Sequence, residues 1–120
     1  MKDAALETLR LRAPASDQLR DLKVFHKALA DVTRLRIVQL LAGRPRTVNE
    51  LIAGIGLSQP LVSWHLRRLR NAGIVTTRRT GREVLCTLER EVIDEASARE
   101  RAVLGLAAVA ERAAGARSRS

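Results

Sequence analysis

Ser58-Gln59-Pro60-Leu61-Val62-Ser63-Trp64-His65-Leu66-Arg67-Arg68-Leu69-Arg70-Asn71-Ala72-Gly73-Ile74-Val75 is the stretch on which the fold turns. Ser58 stands where an N-cap belongs, Pro60 falls in the first turn, where a missing N–H is harmless, and Gly73 lies just past the end. This punctuation predicts a helix over about 58–72. Val62, Leu66 and Leu69 recur at i, i+4 and i+7 and make one buried stripe. The opposite face then carries Pro60, Ser63, Trp64, Arg67 and Arg68, with Gln59 one turn before Ser63. A bidentate amide, a small hydroxyl and paired guanidiniums on one exposed face can read base edges in a DNA major groove. The free N–H groups at the helix start suit a phosphate. The competing reading is an ordinary amphipathic helix with a solvated charged face.

Downstream, Ile74-Val75-Thr76-Thr77-Arg78-Arg79 is rich in β-branched residues, Thr80-Gly81-Arg82 makes a turn, and Glu83 to Leu88 alternates again. A β-hairpin over about 74–88 is expected. Upstream, Thr47-Val48-Asn49-Glu50 fits a T-x-x-E capping box and opens a short helix through about Ala53, closed by the turn Gly54-Ile55-Gly56-Leu57. Asp31 is placed to cap an earlier helix with Leu35, Val38 and Leu41 on its inner side, ended by Gly43 and turned by Arg44-Pro45-Arg46. Before that, Ser16 can cap a helix bearing Leu19, Leu22, Phe25 and Leu29. Residues 3–12 can form a short helix with Leu6 and Leu9 on one side, interrupted by Pro14. After the hairpin, residues 90–113 read as one long helix. Two short helices joined by a glycine turn and followed by a hairpin describe a winged helix-turn-helix. The expectation is a mainly α fold with a β-hairpin wing, one domain over 1–114, and a flexible basic tail over 115–120.

Charge sharpens this reading. The 120 residues carry 22 Lys+Arg against 13 Asp+Glu, a net charge of +9, and 19 of the cations are arginine. Such a balance points to an anionic partner, most often nucleic acid. Between Leu51 and Arg82 stand Arg67, Arg68, Arg70, Arg78, Arg79 and Arg82, with no Asp or Glu. Solvated faces mix signs, whereas an unbroken basic stretch suits a phosphate backbone. Arg78, Arg79 and Arg82 at the hairpin tip are placed to reach an adjacent groove or backbone.

Composition excludes other classes. Aromatics at 2% weigh against a base-stacking RNA platform. The lone Cys86 leaves no internal disulfide or multi-cysteine metal cluster. No run of about 18 apolar residues occurs, so no membrane span is expected. The start Met1-Lys2-Asp3-Ala4-Ala5-Leu6-Glu7 lacks a signal peptide's apolar region, and a cytoplasmic location is expected. No phosphate-binding glycine loop, Ser/His/Asp set or paired carboxylates point to an enzyme, and no cofactor is expected.

Two stretches resemble the ArsR/SmtB family of dimeric bacterial transcription repressors, which release DNA when an inducer binds. Phe25-His26-Lys27-Ala28-Leu29-Ala30-Asp31-Val32-Thr33-Arg34-Leu35-Arg36-Ile37-Val38 is similar to that family's F-x-A-L-A-D-P-T-R-L-R-I-L signature. The helix quoted at the outset resembles its recognition helix, S-Q-P-A-V-S-x-H-L-x-x-L-R-x-A-G-L-V. Gly81-Arg82 and the alternating residues after it resemble its wing, so the likeness covers roughly residues 22–88. It implies base-reading positions at Gln59, Ser63 and Trp64, with Ser58, His65 and Arg67 nearby on the backbone. It also implies a homodimer built on the terminal helices. Val92, Ala96, Arg99, Val103, Leu106, Ala110 and Ala113 follow spacings of four and three, a heptad seam of mostly small residues broken by Arg99. The interface is accordingly expected at Leu6, Leu9, Val92, Ala96, Val103, Leu106 and Ala110. The alternative is a stripe that packs only on its own domain.

Departures from the family pattern bear on the inducer. Members that sense metal in the helix before the turn carry Cys-x-Cys where this chain has Thr47-Val48-Asn49-Glu50-Leu51. Members that bind zinc between their final helices carry Asp/His and His/Glu pairs, whereas the last helix here has no His. Val32 stands in place of the usual proline. The expected function is a homodimeric, sequence-specific regulator of an operator duplex, a repressor, whose small-molecule inducer is not a metal at those sites. Two alternatives stand beside it. One is a ligand-independent winged-helix regulator controlled by abundance or a protein partner. The other is a non-specific basic nucleic-acid-binding module.

Single residues carry expectations of their own. His65 reads as a hydrogen-bonded structural or phosphate-contacting residue rather than a metal ligand, and His26 as no sensor. Cys86 alternates with Val84 and Leu88, which suits a half-buried strand residue, and a redox switch would lack a resolving thiol. Trp64 is expected at DNA rather than packed under the wing or on a neighbouring helix.

Overall fold

Short-range capping chemistry sets most element boundaries. Asp31 caps helix α2 (Val32–Gly43), its carboxylate accepting from the backbone N–H of Arg34 at 3.1 Å. Thr47 and Glu50 form the reciprocal capping box of α3 (Val48–Ile55), with bonds of 3.1 and 3.2 Å. That helix runs two residues beyond Ala53, through Gly54 and Ile55. It stops at Gly56, whose φ of 79° is a left-handed conformation that L side chains rarely adopt. Ser58 is the N-cap of α4 (Gln59–Asn71) by backbone geometry, with no side-chain cap bond. Gly73 closes that helix, and Ile74 N–H reaches back to the Leu69 carbonyl at 3.0 Å.

The computed structural model describes residues 17–106. Helix α1 occupies residues 17–29 ahead of α2. After α4 come β2 (Val75–Thr80) and β3 (Glu83–Leu88), antiparallel and joined at Gly81-Arg82, then α5 (Arg90–Val103). The chain forms two compact units. Val24–Ile93 is one, and the second comprises, among the described residues, 17–23 with 94–106. The first unit contains the helix-turn-helix and the hairpin. Its core joins Ile37 and Leu41 of α2, Leu51 of α3, Val62, Leu66 and Leu69 of α4, and Val75 and Cys86 of the hairpin, all buried.

Four expectations are corrected. The hairpin has a third strand, because β1 (Arg46–Thr47) pairs antiparallel with β3 through Arg46–Cys86 and Thr47–Leu85. A two-residue strand shows no alternation of its own, so residues 44–46 read only as a turn. Leu35 is not on the inner side of α2 but 47% exposed, because the buried row is Arg34, Ile37 and Leu41. Cys86 is fully buried rather than half-buried. The last helix does not run unbroken to 113. It ends at Val103, with Gly105 at φ 76° and Leu106 N–H bonded to the Arg101 carbonyl at 2.7 Å. Those are the bonds of a glycine-closed helix end. The expected helix over 3–12, Pro14, the Ser16 cap, Leu6, Leu9, Ala110, Ala113 and the tail 115–120 lie outside the described residues.

Desolvation pulls the Asp31 carboxyl upward, but the backbone N–H of Arg34 and the charge of its guanidinium outweigh it, leaving it below its ordinary value. A depressed carboxyl stabilises the fold at neutral pH and loses that contribution as pH falls through its folded-state value. Asp31→Ala is expected to lower stability by about 1 kcal/mol at pH 7, the usual worth of an N-cap. Thermal unfolding of both proteins at pH 7 and at pH 3 checks this, the difference narrowing in acid.

Candidate nucleic-acid interface

Helix α4 is divided lengthwise. Val62, His65, Leu66 and Leu69 are buried, while Gln59, Pro60, Trp64, Arg67 and Arg68 are exposed and Ser63 is half-buried. The apolar stripe lies where the periodicity predicts, so the polar residues have no inner face to occupy. Ser58 is exposed at the helix start, and its hydroxyl makes no cap bond. Trp64 is 44% exposed, with the Arg68 guanidinium 5.0 Å from its ring centroid on a cation–π contact. The solitary tryptophan is thus on the outer side of α4, not under the wing.

The wing presents cations on both sides of its tip. Arg78 and Arg79 are adjacent in β2 and point to opposite faces of the hairpin. Both are exposed, as is Arg82 in the turn. Arg70, at the flank of α4, donates to the Thr77 hydroxyl at 3.3 Å and ties the helix to the first wing strand.

His65 is the one buried member of the residues expected at nucleic acid, 7% exposed. Its ring faces α2, where Arg34 NH1 donates to Nδ1 at 3.0 Å. Guanidinium has no acceptor, so Nδ1 must accept and the ring proton sits on Nε2. Asp31 Oδ1 lies 3.8 Å from the same nitrogen. Arg34 is itself buried, and the sequence reading does not single it out. A signal for it exists, as it falls three residues before Ile37 and seven before Leu41, on the row that α2 turns inward.

The expected dimer residues divide between the units. Val92 packs, partly buried, on the core of its own chain. Ala96 and Val103 are half-buried, and Leu106 is exposed. No residue of α5 is buried. Among the described residues no three His, Cys, Asp or Glu side chains gather closely enough to hold a metal ion. No described helix is long and apolar enough to cross a membrane.

A helix-turn-helix with an outward polar helix, followed by a basic antiparallel hairpin, defines a winged helix-turn-helix protein. The chain belongs to the arsR family of bacterial regulatory proteins, whose family model matches residues 31–77. An uncharacterized HTH-type transcriptional regulator of Mycobacterium tuberculosis is 40% identical over 91 residues, which is 74% of this chain and 80% of that protein. The HTH-type transcriptional regulator KmtR of Mycobacterium tuberculosis is 45% identical over 65 residues, 54% of this chain and 50% of that one. The chain thus spans about half the length of several curated relatives it matches. Among solved structures, HlyU from Vibrio cholerae superposes with a TM-score of 0.59 at 35% identity, covering 68% of this chain and 90% of that one. Members of such a family are regulators, not enzymes.

Proposed function

We propose that this protein is a homodimeric, sequence-specific DNA-binding transcriptional repressor. The observation that carries the reading is the lengthwise division of α4 beside a wing that exposes Arg78, Arg79 and Arg82. In this reading α4 lies in the major groove with Gln59, Ser63 and Trp64 toward base edges. Arg67 and Arg68 flank them, Ser58 lies at the backbone, and Arg78, Arg79 and Arg82 reach backbone or minor groove through the wing. The family membership and the absence of any acid from Leu51 to Arg82 support it. A cytoplasmic location, with a duplex rather than a membrane as the anionic partner, belongs to the same reading. The test is selection of a preferred duplex from a random-sequence pool, followed by titration on that duplex and on a scrambled one. Equal affinity for both would reduce the protein to a sequence-blind binder.

The homodimer is supported by apolar side chains left at solvent in the terminal unit. Leu19, Leu104 and Leu106 are each about half exposed. A dimer built on the terminal helices would take these side chains out of water.

The inducer, in this reading, is not a metal at the family's usual sites. The one thiol is sealed in the core, where burial pushes Cys86 up to about 11 against the opposing charge of Arg70. A thiol is a metal ligand as thiolate, which this environment disfavours. Stoichiometric zinc, cadmium or arsenite is expected to leave the protein–DNA complex intact by fluorescence anisotropy. Release at one metal per protomer would overturn that assignment.

A further inference from the structure

We propose that Arg34 is a positioning residue for the base-reading face: it ties α4 to the carbonyl end of α1 and thereby sets how Trp64 and Arg68 are presented. The inference rests on the reading of α4 as the recognition helix.

Arg34 is 8% exposed, and a buried cation persists only where its donors are satisfied. Nε donates to the Ala28 carbonyl at 2.6 Å and NH2 to the Lys27 carbonyl at 3.2 Å. Both acceptors belong to the last turn of α1, at the negative end of the helix dipole, and the Lys27 carbonyl also accepts from the Ala30 N–H at 3.3 Å. NH1 reaches across to His65 Nδ1 at 3.0 Å. The Arg34 guanidinium carbon lies over the Trp64 ring, 5.7 Å from its centroid, and that ring meets His65 edge-on at 4.9 Å and 73°. One side chain therefore joins the end of α1, the body of α2 and the outward aromatic of α4.

Direction is what this contact adds. The other inward residues of α4 are Val62, Leu66 and Leu69. Apolar burial scales with area and has little angular preference, so those side chains decide which face of the helix is buried but set its roll only coarsely. A hydrogen bond weakens steeply away from linearity. His65 is the only polar side chain on the buried stripe, so the Arg34–His65 bond adds a directional restraint on the roll of α4 from the α2 side, beside the Arg70–Thr77 bond at the wing. Because the same guanidinium is anchored on α1, a shift at the end of α1 is transmitted to the position of Trp64. Lysine cannot replace this fork, since its point charge cannot meet three acceptors in fixed directions.

The chain has one tryptophan, so its emission reports on this contact without labelling. Arg34→Lys and His65→Leu are compared with the unaltered protein, each shown folded by far-UV circular dichroism. In the free proteins, both substitutions are expected to alter the emission maximum of Trp64 and its quenching by acrylamide. On the duplex selected from a random pool, each is expected to lose about tenfold in affinity, with less than about twofold lost on the scrambled duplex. The double substitution is expected to lose no more than either single one, because both remove the same bond. In a Trp64→Ala background the loss from Arg34→Lys should largely vanish. A folded Arg34→Lys protein with unchanged Trp64 emission and quenching overturns the proposal. So do equal losses on both duplexes, or additive losses in the double substitution. If Arg34→Lys fails to fold, His65→Leu is read on the same criteria. If the unaltered protein selects no preferred duplex, the sequence-specific reading has failed, and Trp64 emission still decides the positioning role.

Discussion

Replacing Val103 and Leu106 together by Glu is expected to give a monomer that binds its preferred duplex about 10²–10⁴-fold more weakly. The magnitude follows from multivalency, since a dimer holds its second reading helix at millimolar effective concentration once the first is seated. Neither residue belongs to the core of Val24–Ile93. Val103 is half-buried at the end of α5 and Leu106 is 45% exposed beyond it. Carboxylates there meet solvent in a lone chain and a desolvated apolar surface in a dimer, so the penalty falls on assembly rather than on folding. The backbone bond from Leu106 to the Arg101 carbonyl does not involve the side chain and should survive. Light scattering and a thermal melt separate the two effects. A dimer that persists in the double substitution would place the interface elsewhere.

Gln59→Ala and Arg79→Ala should weaken DNA binding in different ways. Base contacts specify, whereas phosphate contacts position. Gln59 is exposed in the first turn of α4, where its amide can pair with both edge groups of adenine. Its loss is expected to cost about 1–3 kcal/mol on the selected duplex and little on a scrambled one. Arg79 is exposed near the wing tip and has no carboxylate ion-pair partner among the described residues. Its removal should weaken both duplexes alike. The dependence of log K on log salt should become shallower by about one unit for each phosphate left without its arginine, about two for a symmetric dimer. Fluorescence titrations at several salt concentrations measure both quantities. Equal losses on both duplexes for Gln59→Ala would remove α4 from the role of reading element.

Much of the candidate site is legible without any coordinates, and the reason is the range over which its signals act. Capping at Asp31 and Thr47 is decided within three or four residues of chain. The buried stripe Val62, Leu66 and Leu69 follows from helical period alone. Once that stripe is known, the outward placement of Gln59, Trp64, Arg67 and Arg68 needs no further information. The hairpin is equally local, because Gly81-Arg82 joins strands that pair with their nearest neighbours in sequence.

What escapes the sequence depends on partners far along the chain or on competition between two local rules. The β1 pairing joins Arg46 to Cys86, and nothing in two residues announces a strand. Gly105 lies inside a heptad spacing that continues past it, so period and punctuation disagree there. A glycine in mid-helix costs about 1 kcal/mol against alanine, a small penalty that packing can override or leave to stand, and here the helix stops. His65 stands beside the readers in the chain, yet its ring turns inward. By itself the sequence determined where each helix of the DNA-reading motif starts, which face of α4 is wet, and that the wet face is cationic, since these follow from period, caps and charge. Only the tertiary structure decided that the three nitrogens of Arg34 meet the Ala28 and Lys27 carbonyls and His65. A buried guanidinium is stable only when α1, α2 and α4 bring their acceptors to it at once, and no stretch of sequence contains that coincidence.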